Sequence, residues 1–175
     1  MKLTTLLTPL SLLALQASTV LADGASIVNA LDTVNNSTLK LNSLVSSWNG
    51  KLLGTLPIVA ESTALLAHIM KGTKTAKDSA ALAALDALGV AGSTITLSAS
   101  VNTTLTTIIA AKRKFDKRSL SPVILLNLEL EKSATEDFSA AIIAKLPADL
   151  QGLAQNLVAP IDASFEQGID KYKLL

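Results

Sequence analysis

The sequence predicts an all-α protein, an antiparallel bundle of about five long helices with a kink in the last. Three observations point there. Apolar residues recur three and four positions apart in five separate stretches, the period of one helix face. Cysteine is absent, so packing alone must hold the fold, which long helices manage better than small β-scaffolds. Hydrophobic residues make up 49% of the chain and aromatic ones only 3%, so the core is mostly Ala, Leu, Ile and Val. At 175 residues there is length for one domain with a substantial core.

The first segment stands outside that domain. Residues 1–22 combine a basic start at Lys2, an apolar run through Leu15, and a Val20-Leu21-Ala22 ending that fits small-x-small cleavage. They read as a secretory signal peptide cut before Asp23, with residues 23–175 as a single helical-bundle domain. The run is too short to span a bilayer and is interrupted by Pro9, Ser11 and Gln16. Residues 24–48 then place Ile27, Leu31, Val34, Thr38, Leu41, Val45 and Trp48 at alternating spacings of four and three, a heptad seam with one polar member. Asn49-Gly50 ends this helix, because glycine accepts the left-handed geometry beyond a C-terminus.

Thr55 and Pro57 open a second helix, with Val59, Thr63, Leu66 and Met70, joined by Leu65 and Ile69, reaching about Gly72. Residues 73–77 read as a polar connection, and Asp78 as the cap of a short Ala/Leu segment stopped by Gly89. From about Ser93 to about Arg113 a further helix presents Leu97, Val101, Leu105, Ile108 and Ile109. Its threonines have poor helix propensity, which leaves a strand as the alternative. The basic run KRKFDKR (112–118) reads as a solvated loop; a phosphate-binding patch and processing at Lys117-Arg118 are the other readings.

The stretch SPVILLNLELEKSATEDFSAAIIAKL (121–146) organises the rest. Ser121 suits a helix cap and Pro122 the first helical position. Helical spacing puts Val123, Leu126, Leu130, Ala134, Phe138 and Ala141 on one face. Glu129, Lys132, Ser133 and Glu136 fall opposite, with Lys132 and Glu136 an i,i+4 pair. Pro147 stops this helix at about Lys145 and opens the last one, which carries Leu150, Leu153, Leu157, Ile161, Phe165, Ile169 and Tyr172. Pro160 removes a bond to the carbonyl of Asn156, predicting a kink near Ala159.

The residue inventory excludes most chemistry. His68 is the one histidine, no cysteine nucleophile exists, and Gly-x-Ser-x-Gly and glycine-rich phosphate loops are missing. A di-iron site needs Glu-x-x-His on two helices. No enzyme, metal or cofactor is therefore expected. Glu129, Glu131, Glu136 and Asp137 could suggest a paired-carboxylate site, but at their spacing most of them decorate the solvent side of the central helix, and His68 reads as a surface or boundary residue. Losing Lys2 with the signal leaves basic and acidic residues balanced, which argues against nucleic acid and offers little electrostatic resistance to adsorption. Three sequons, two of them overlapping at Asn35 and Asn36, make Asn36 and Asn102 candidate glycosylation sites. Small side chains fill a bundle centre poorly, and a void lined by Leu, Ile and Val would suit an acyl chain; an ordinary well-packed bundle is the other reading of the same residues. Leu126, Leu130 and Phe138 of the central helix, facing Leu157, Ile161 and Phe165 of the last, are the candidate lipid contacts.

LPIVAESTALLAHI (56–69), SVNTTLTTIIAAKRKFD (100–116), LSPVILLNLELEKSA (120–134) and the closing API…FEQGIDKY (159–172) occur in an order and spacing that resembles the fungal hydrophobic surface binding protein A family, which includes antigenic cell-wall galactomannoproteins. The resemblance implies a secreted, non-enzymatic all-α bundle that adsorbs to hydrophobic surfaces. It further implies fatty-acid binding within the bundle, as in galactomannoprotein members, and recruitment of lytic esterases, as in some others. The Ser/Thr-rich tail and anchor signal of certain wall members have no counterpart here, so free secretion or loose wall association without a transmembrane span is expected. The alternative is a structural or antigenic wall mannoprotein without a small-molecule ligand.

Overall fold

The computed structural model describes residues 10–173, with side chains from Asp23 onward. The helices are α1 (Leu10–Ser47), α2 (Thr55–Asp78), α3 (Ala84–Asp116), α4 (Ser121–Ile143) and α5 (Ala148–Lys173), with a 3-10 turn (Leu52–Gly54) before α2. The signal-peptide reading of residues 1–22 falls on residues 1–9, outside the described residues, and on the start of α1, whose side chains lie outside them too.

α1 packs on α2 and α3, α2 on α4, α4 on α5, and α5 back on α3, closing a ring about one axis. Consecutive helices run antiparallel, as the bundle reading expects. Across the ring several neighbours run parallel. Thr38 meets Thr104 and Trp48 meets Phe115 between α1 and α3, and Ser62 meets Glu131 and Gly72 meets Phe138 between α2 and α4. One end of the ring is closed by aromatic packing. Trp48 and Phe115 lie 4.5 Å apart and Phe115 and Tyr172 6.4 Å apart, with Tyr172 donating its hydroxyl to the Ile108 carbonyl. The other end gathers the 79–83 connection, where Leu82 N–H donates to the Lys145 carbonyl and Lys145 Nζ donates to the Ser79 carbonyl.

All seven members of the α1 seam are buried, and Thr38 satisfies its hydroxyl on the Val34 carbonyl. Gly50 has φ 82°, the left-handed geometry expected past α1. The α2 and α3 boundaries differ from expectation. Residues 73–77 are helical, and Ser79, not Gly72, ends α2 by donating to the Thr75 carbonyl. α3 starts at Ala84 and continues through Gly89 and Gly92, because packing against α1 outweighs glycine's low propensity. Its threonines are helical throughout. Thr94, Thr96, Thr103, Thr104, Thr106 and Thr107 each donate to the carbonyl four residues back, so their hydroxyls do not compete with the ladder.

KRKFDKR is no solvated loop. It ends α3, where Lys114 Nζ donates to the Trp48 carbonyl at 2.7 Å and Arg118 Nε to the Gly50 carbonyl at 2.8 Å. Two cations thus satisfy free carbonyls beyond the C-terminal end of α1. Ser121 is likewise not the cap of α4; it is the first helical residue and donates to Asp116.

Two helix faces are rotated from expectation. α4 buries Ile124, Leu128, Glu131, Thr135, Phe138, Ala141 and Ile142, while Val123, Leu126 and Leu130 are 41%, 54% and 45% exposed. α2 buries Ile58, Glu61, Ser62, Leu65 and Ile69 and leaves Val59 and Met70 exposed. In both helices the inner stripe contains acids that satisfy themselves across helices. Ser62 donates to Glu131, and Lys40 of α1 pairs with Glu61 at 2.5 Å. A stripe chosen for apolarity passes over such residues. α5 is divided as well: Ile161, Phe165, Ile169 and Tyr172 are buried, whereas no residue of 148–160 is, and Leu153 is 60% exposed. Pro160 sits inside the continuous helix at that division.

Candidate functional site: an axial cavity

Three voids of about 90, 30 and 20 Å³ follow one another along the ring axis. The largest lies among the first turns of α3, the end of α4 and the first half of α5, with Leu97, Phe138, Ile142, Leu146, Leu157 and Ile161 in its wall. Its rim includes Leu88 and Leu153, both exposed, so it opens on the flank between α3 and α5. Leu97, Thr135 and Phe138 also line the middle void, which adds Thr38, Thr104, Glu131 and Phe165. Leu41, Ile108 and Glu131 in turn separate the middle void from the smallest, bordered by Phe115, Ser62 and Leu128. The voids are thus compartments of one largely apolar channel, parted by the side chains they share and bounded at the aromatic end by Phe115.

The chain's sparse aromatics follow this plan. Trp48, Phe115 and Tyr172 plug one end, while Phe138 and Phe165 line the middle. Tyr172 is held rigidly, and burial pushes its phenol well above the usual range.

One acid lies inside the channel. Glu131 is 4% exposed, and its Oε1 accepts the Ser62 hydroxyl at 2.7 Å. Burial pushes its carboxyl up to about 7, against the lowering effect of that hydrogen bond. Glu131 is therefore the exception to the solvent-side reading of most of the acids on this helix. Its charge pointed outward in the sequence, and no sequence signal revealed the serine that would meet it.

The candidate lipid contacts divide. Phe138, Leu157 and Ile161 line the largest void, and Phe138 and Phe165 the middle one. Leu126 and Leu130 lie on the exposed flank of α4 and line none of the three. Of the glycosylation candidates, Asn36 is exposed on α1 and Asn102 on α3, while the Asn35 side-chain oxygen is buried without a partner. His68 sits at the boundary with Nδ1 2.7 Å from Ser37 Oγ. Among the described residues no group of three or more His, Cys, Asp or Glu could hold a metal ion.

Residues 24–144 match the family model described as Hydrophobic surface binding protein A. The chain is 30% identical over 160 residues to Cell wall mannoprotein 1 of Aspergillus fumigatus, covering 91% of this chain and 56% of that protein. It is 29% identical over 150 residues to Cell wall mannoprotein 1 of Aspergillus flavus, covering 86% and 54%. It therefore spans about half the length of the curated relatives it matches. Among solved structures, AFMP4P in complex with palmitic acid superposes with a TM-score of 0.83 at 26% identity, over 85% of this chain and 99% of that one. Ligand binding domain 1 of the Penicillium marneffei MP1 protein, complexed with arachidonic acids, gives 0.82 at 16% identity over 86% and 98%, a likeness of fold alone. With its family model matched over most of its length, the chain belongs to the hydrophobic surface binding protein A family.

Proposed function

We propose that this is a secreted or wall-associated, non-enzymatic protein that takes a fatty-acid tail into its axial channel. The observation that supports it is a row of apolar voids lying beneath a half-helix, residues 148–160, in which nothing is buried. The similar AFMP4P structure holds palmitic acid. A void of about 90 Å³ is smaller than a long acyl chain, so entry requires the first half of α5 to swing outward about Pro160, where the helix lacks a hydrogen bond. For delipidated protein, melting should rise with long-chain fatty acid and hardly at all with a short-chain one. A ligand at a hundredfold excess over its Kd stabilises the folded state by about 2.7 kcal/mol. Absence of any chain-length-dependent shift would overturn the channel reading.

A second mode is favoured by the exposed apolar face. Glu61 and His68, which meet α1, lie on the flank of α2 opposite Val59 and Leu66. Lys132, which approaches Glu166 of α5, lies on the flank of α4 opposite Val123 and Leu130. Both apolar sets therefore turn toward the α2/α4 seam and, with exposed Leu52, Leu53 and Leu56, make one outer patch. That patch is the surface for adsorption to hydrophobic matter, in keeping with the family. Leu126→Glu with Leu130→Glu should lower retention on hydrophobic beads and leave the chain-length response intact; unchanged retention would place adsorption elsewhere. A recruited secreted esterase would be retained on wild-type-coated beads and lost from beads exposed to the double variant.

Two stretches, Leu52–Asp78 and Ala84–Asp116, are long and apolar enough to cross a bilayer, with mean hydropathy 1.5 and 1.3. We read them as ring helices with Glu61 and Thr104 turned inward, not as spans. In the mannoprotein reading, glycans at Asn36 and Asn102 would project from α1 and α3. Asn→Gln at both should abolish a glycosidase band shift.

A further inference from the structure

We infer that the deep part of the channel is a head-group site, where Glu131 and Ser62 receive the compact polar head of a single-chain lipid. The chemical class is a fatty acid, primary fatty alcohol or primary fatty amide, inserted head first with its tail toward the α3/α5 opening. This rests on the reading that the channel takes an acyl chain.

Position is the first argument. Glu131 borders both the middle and the smallest void, the one ionisable group in walls that otherwise hold apolar, hydroxyl and amide side chains. A buried carboxyl with too few hydrogen bonds is costly, and a leucine of similar size would pack there without that cost. Ser62 engages Oε1 from the wall of the smallest void, and the same carboxyl borders the middle void, where a ligand head would add a further hydrogen bond.

Hydrogen-bond polarity is the second. Thr38, Thr104 and Thr135 line the middle void, but each donates its proton to a backbone carbonyl: Val34, Ser100 and Glu131 respectively. Their oxygens remain acceptors only. Neutral Glu131 adds one O–H donor and an acceptor. A head that both donates and accepts fits this set, and an ionised ligand carboxylate fits it by accepting the Glu131 proton in a hydrogen bond. A methyl ester, with no donor, fits less well.

Length is the third. At 1.5 Å per residue, Glu131 lies roughly 17 Å along α4 from Ile142 in the outer void, the reach of a long acyl tail. The outer void contains no ionisable residue, so it suits the tail and not the head.

No other ionisable side chain lines the two voids that Glu131 borders. The charged groups on the surrounding helices include Lys40 on α1, Glu61 on α2, Lys112 and Asp116 on α3, and Asp162 and Glu166 on α5, none of which lines either void. Lys40 pairs with Glu61, Lys112 with Asp116, and Lys132 of α4 with Glu136 and Glu166. Loss of the Glu131 proton would therefore set two carboxylates against each other with no cation in the wall of either void to offset them.

The test is titration calorimetry of the delipidated full-length protein with palmitic acid, its methyl ester and the matching primary alcohol, across a pH series spanning neutrality. Wild type should bind the acid progressively more weakly above neutrality, by up to tenfold per pH unit, the limit for one linked proton. The alcohol should weaken less, since an ionised carboxylate still accepts its hydroxyl. Glu131→Gln, nearly isosteric, should flatten the acid profile, and Glu131→Leu should weaken acid and alcohol about tenfold while sparing the ester. Melting and helical content of both variants confirm folding. A wild-type pH profile retained by Glu131→Gln, or wild-type acid affinity in Glu131→Leu, overturns the head-group site while the channel stands. Failure of wild type to bind any of the three overturns both.

Discussion

Glu131 also sets a pH dependence of the empty protein. Its folded carboxyl titrates at about 7 against an ordinary 4.5, chiefly through burial. Below 4.5 both folded and unfolded chains hold the proton, and the favourable contribution is full. As pH rises between these values the unfolded chain releases its proton while the folded one keeps it, so stability falls. Above about 7 the loss is complete, at about 3 kcal/mol. Wild type should therefore melt roughly 10 °C higher in mild acid than in mild alkali, and Glu131→Gln should remove most of that difference. Parallel profiles for the two proteins would show that Glu131 is not buried in solution. Asp116 runs the other way. The Ser121 hydroxyl and then Lys112 hold its carboxyl below the usual range, but its exposure makes this a minor contribution. Residue identity alone did not disclose either environment, because both depend on a partner from elsewhere in the chain or across a turn.

At the scale of the element, α5 shows how one amphipathic helix can serve two purposes. Its second half is a core helix, burying Ile161, Phe165, Ile169 and Tyr172, with Gly168 beside Leu105 and Leu128. Its first half covers a void and buries nothing, so it has little to lose on moving. The α2/α4 contact is the rigid counterpart. A Cβ at Gly72 would lie 2.8 Å from the Phe138 ring, whose position divides the outer void from the middle one. Gly72→Ala should push that ring into the channel, destabilise the protein by about 1–3 kcal/mol, and shrink the melting response to long-chain fatty acid. A destabilised variant with an undiminished response would mean that Phe138 does not gate the channel. Sequence periodicity put Phe138, Leu157, Ile161 and Phe165 toward the interior, where they line the voids, because each is the apolar choice on its face. It misplaced Leu126 and Leu130 because α4 has two apolar stripes, and only packing selects between them.

The whole molecule separates its two apolar surfaces. The channel lies inside the ring and the α2/α4 patch outside it, so filling one should not block the other. Adsorption through the patch should persist or strengthen in high sulfate, which favours apolar burial while screening charge. Saturating fatty acid should leave it unchanged. Elution by modest sodium chloride would point to a charged contact instead.

The sequence by itself determined the number of long helices, their antiparallel succession and the α1 seam, since these follow from local periodicity, glycine and proline positions, and the absence of cysteine. It also determined that the core is aliphatic, with few rings to place. Tertiary structure alone decided which stripe of α2 and α4 faces inward, that KRKFDKR ends α3 and caps α1, and that Glu131 lies in the channel. The physical reason is the same in each case. A polar group is tolerated inside only when a partner reaches it, and here the partners are 66 to 69 residues away: Trp48 for Lys114, Gly50 for Arg118 and Ser62 for Glu131. Local spacing carries no record of a partner that distant.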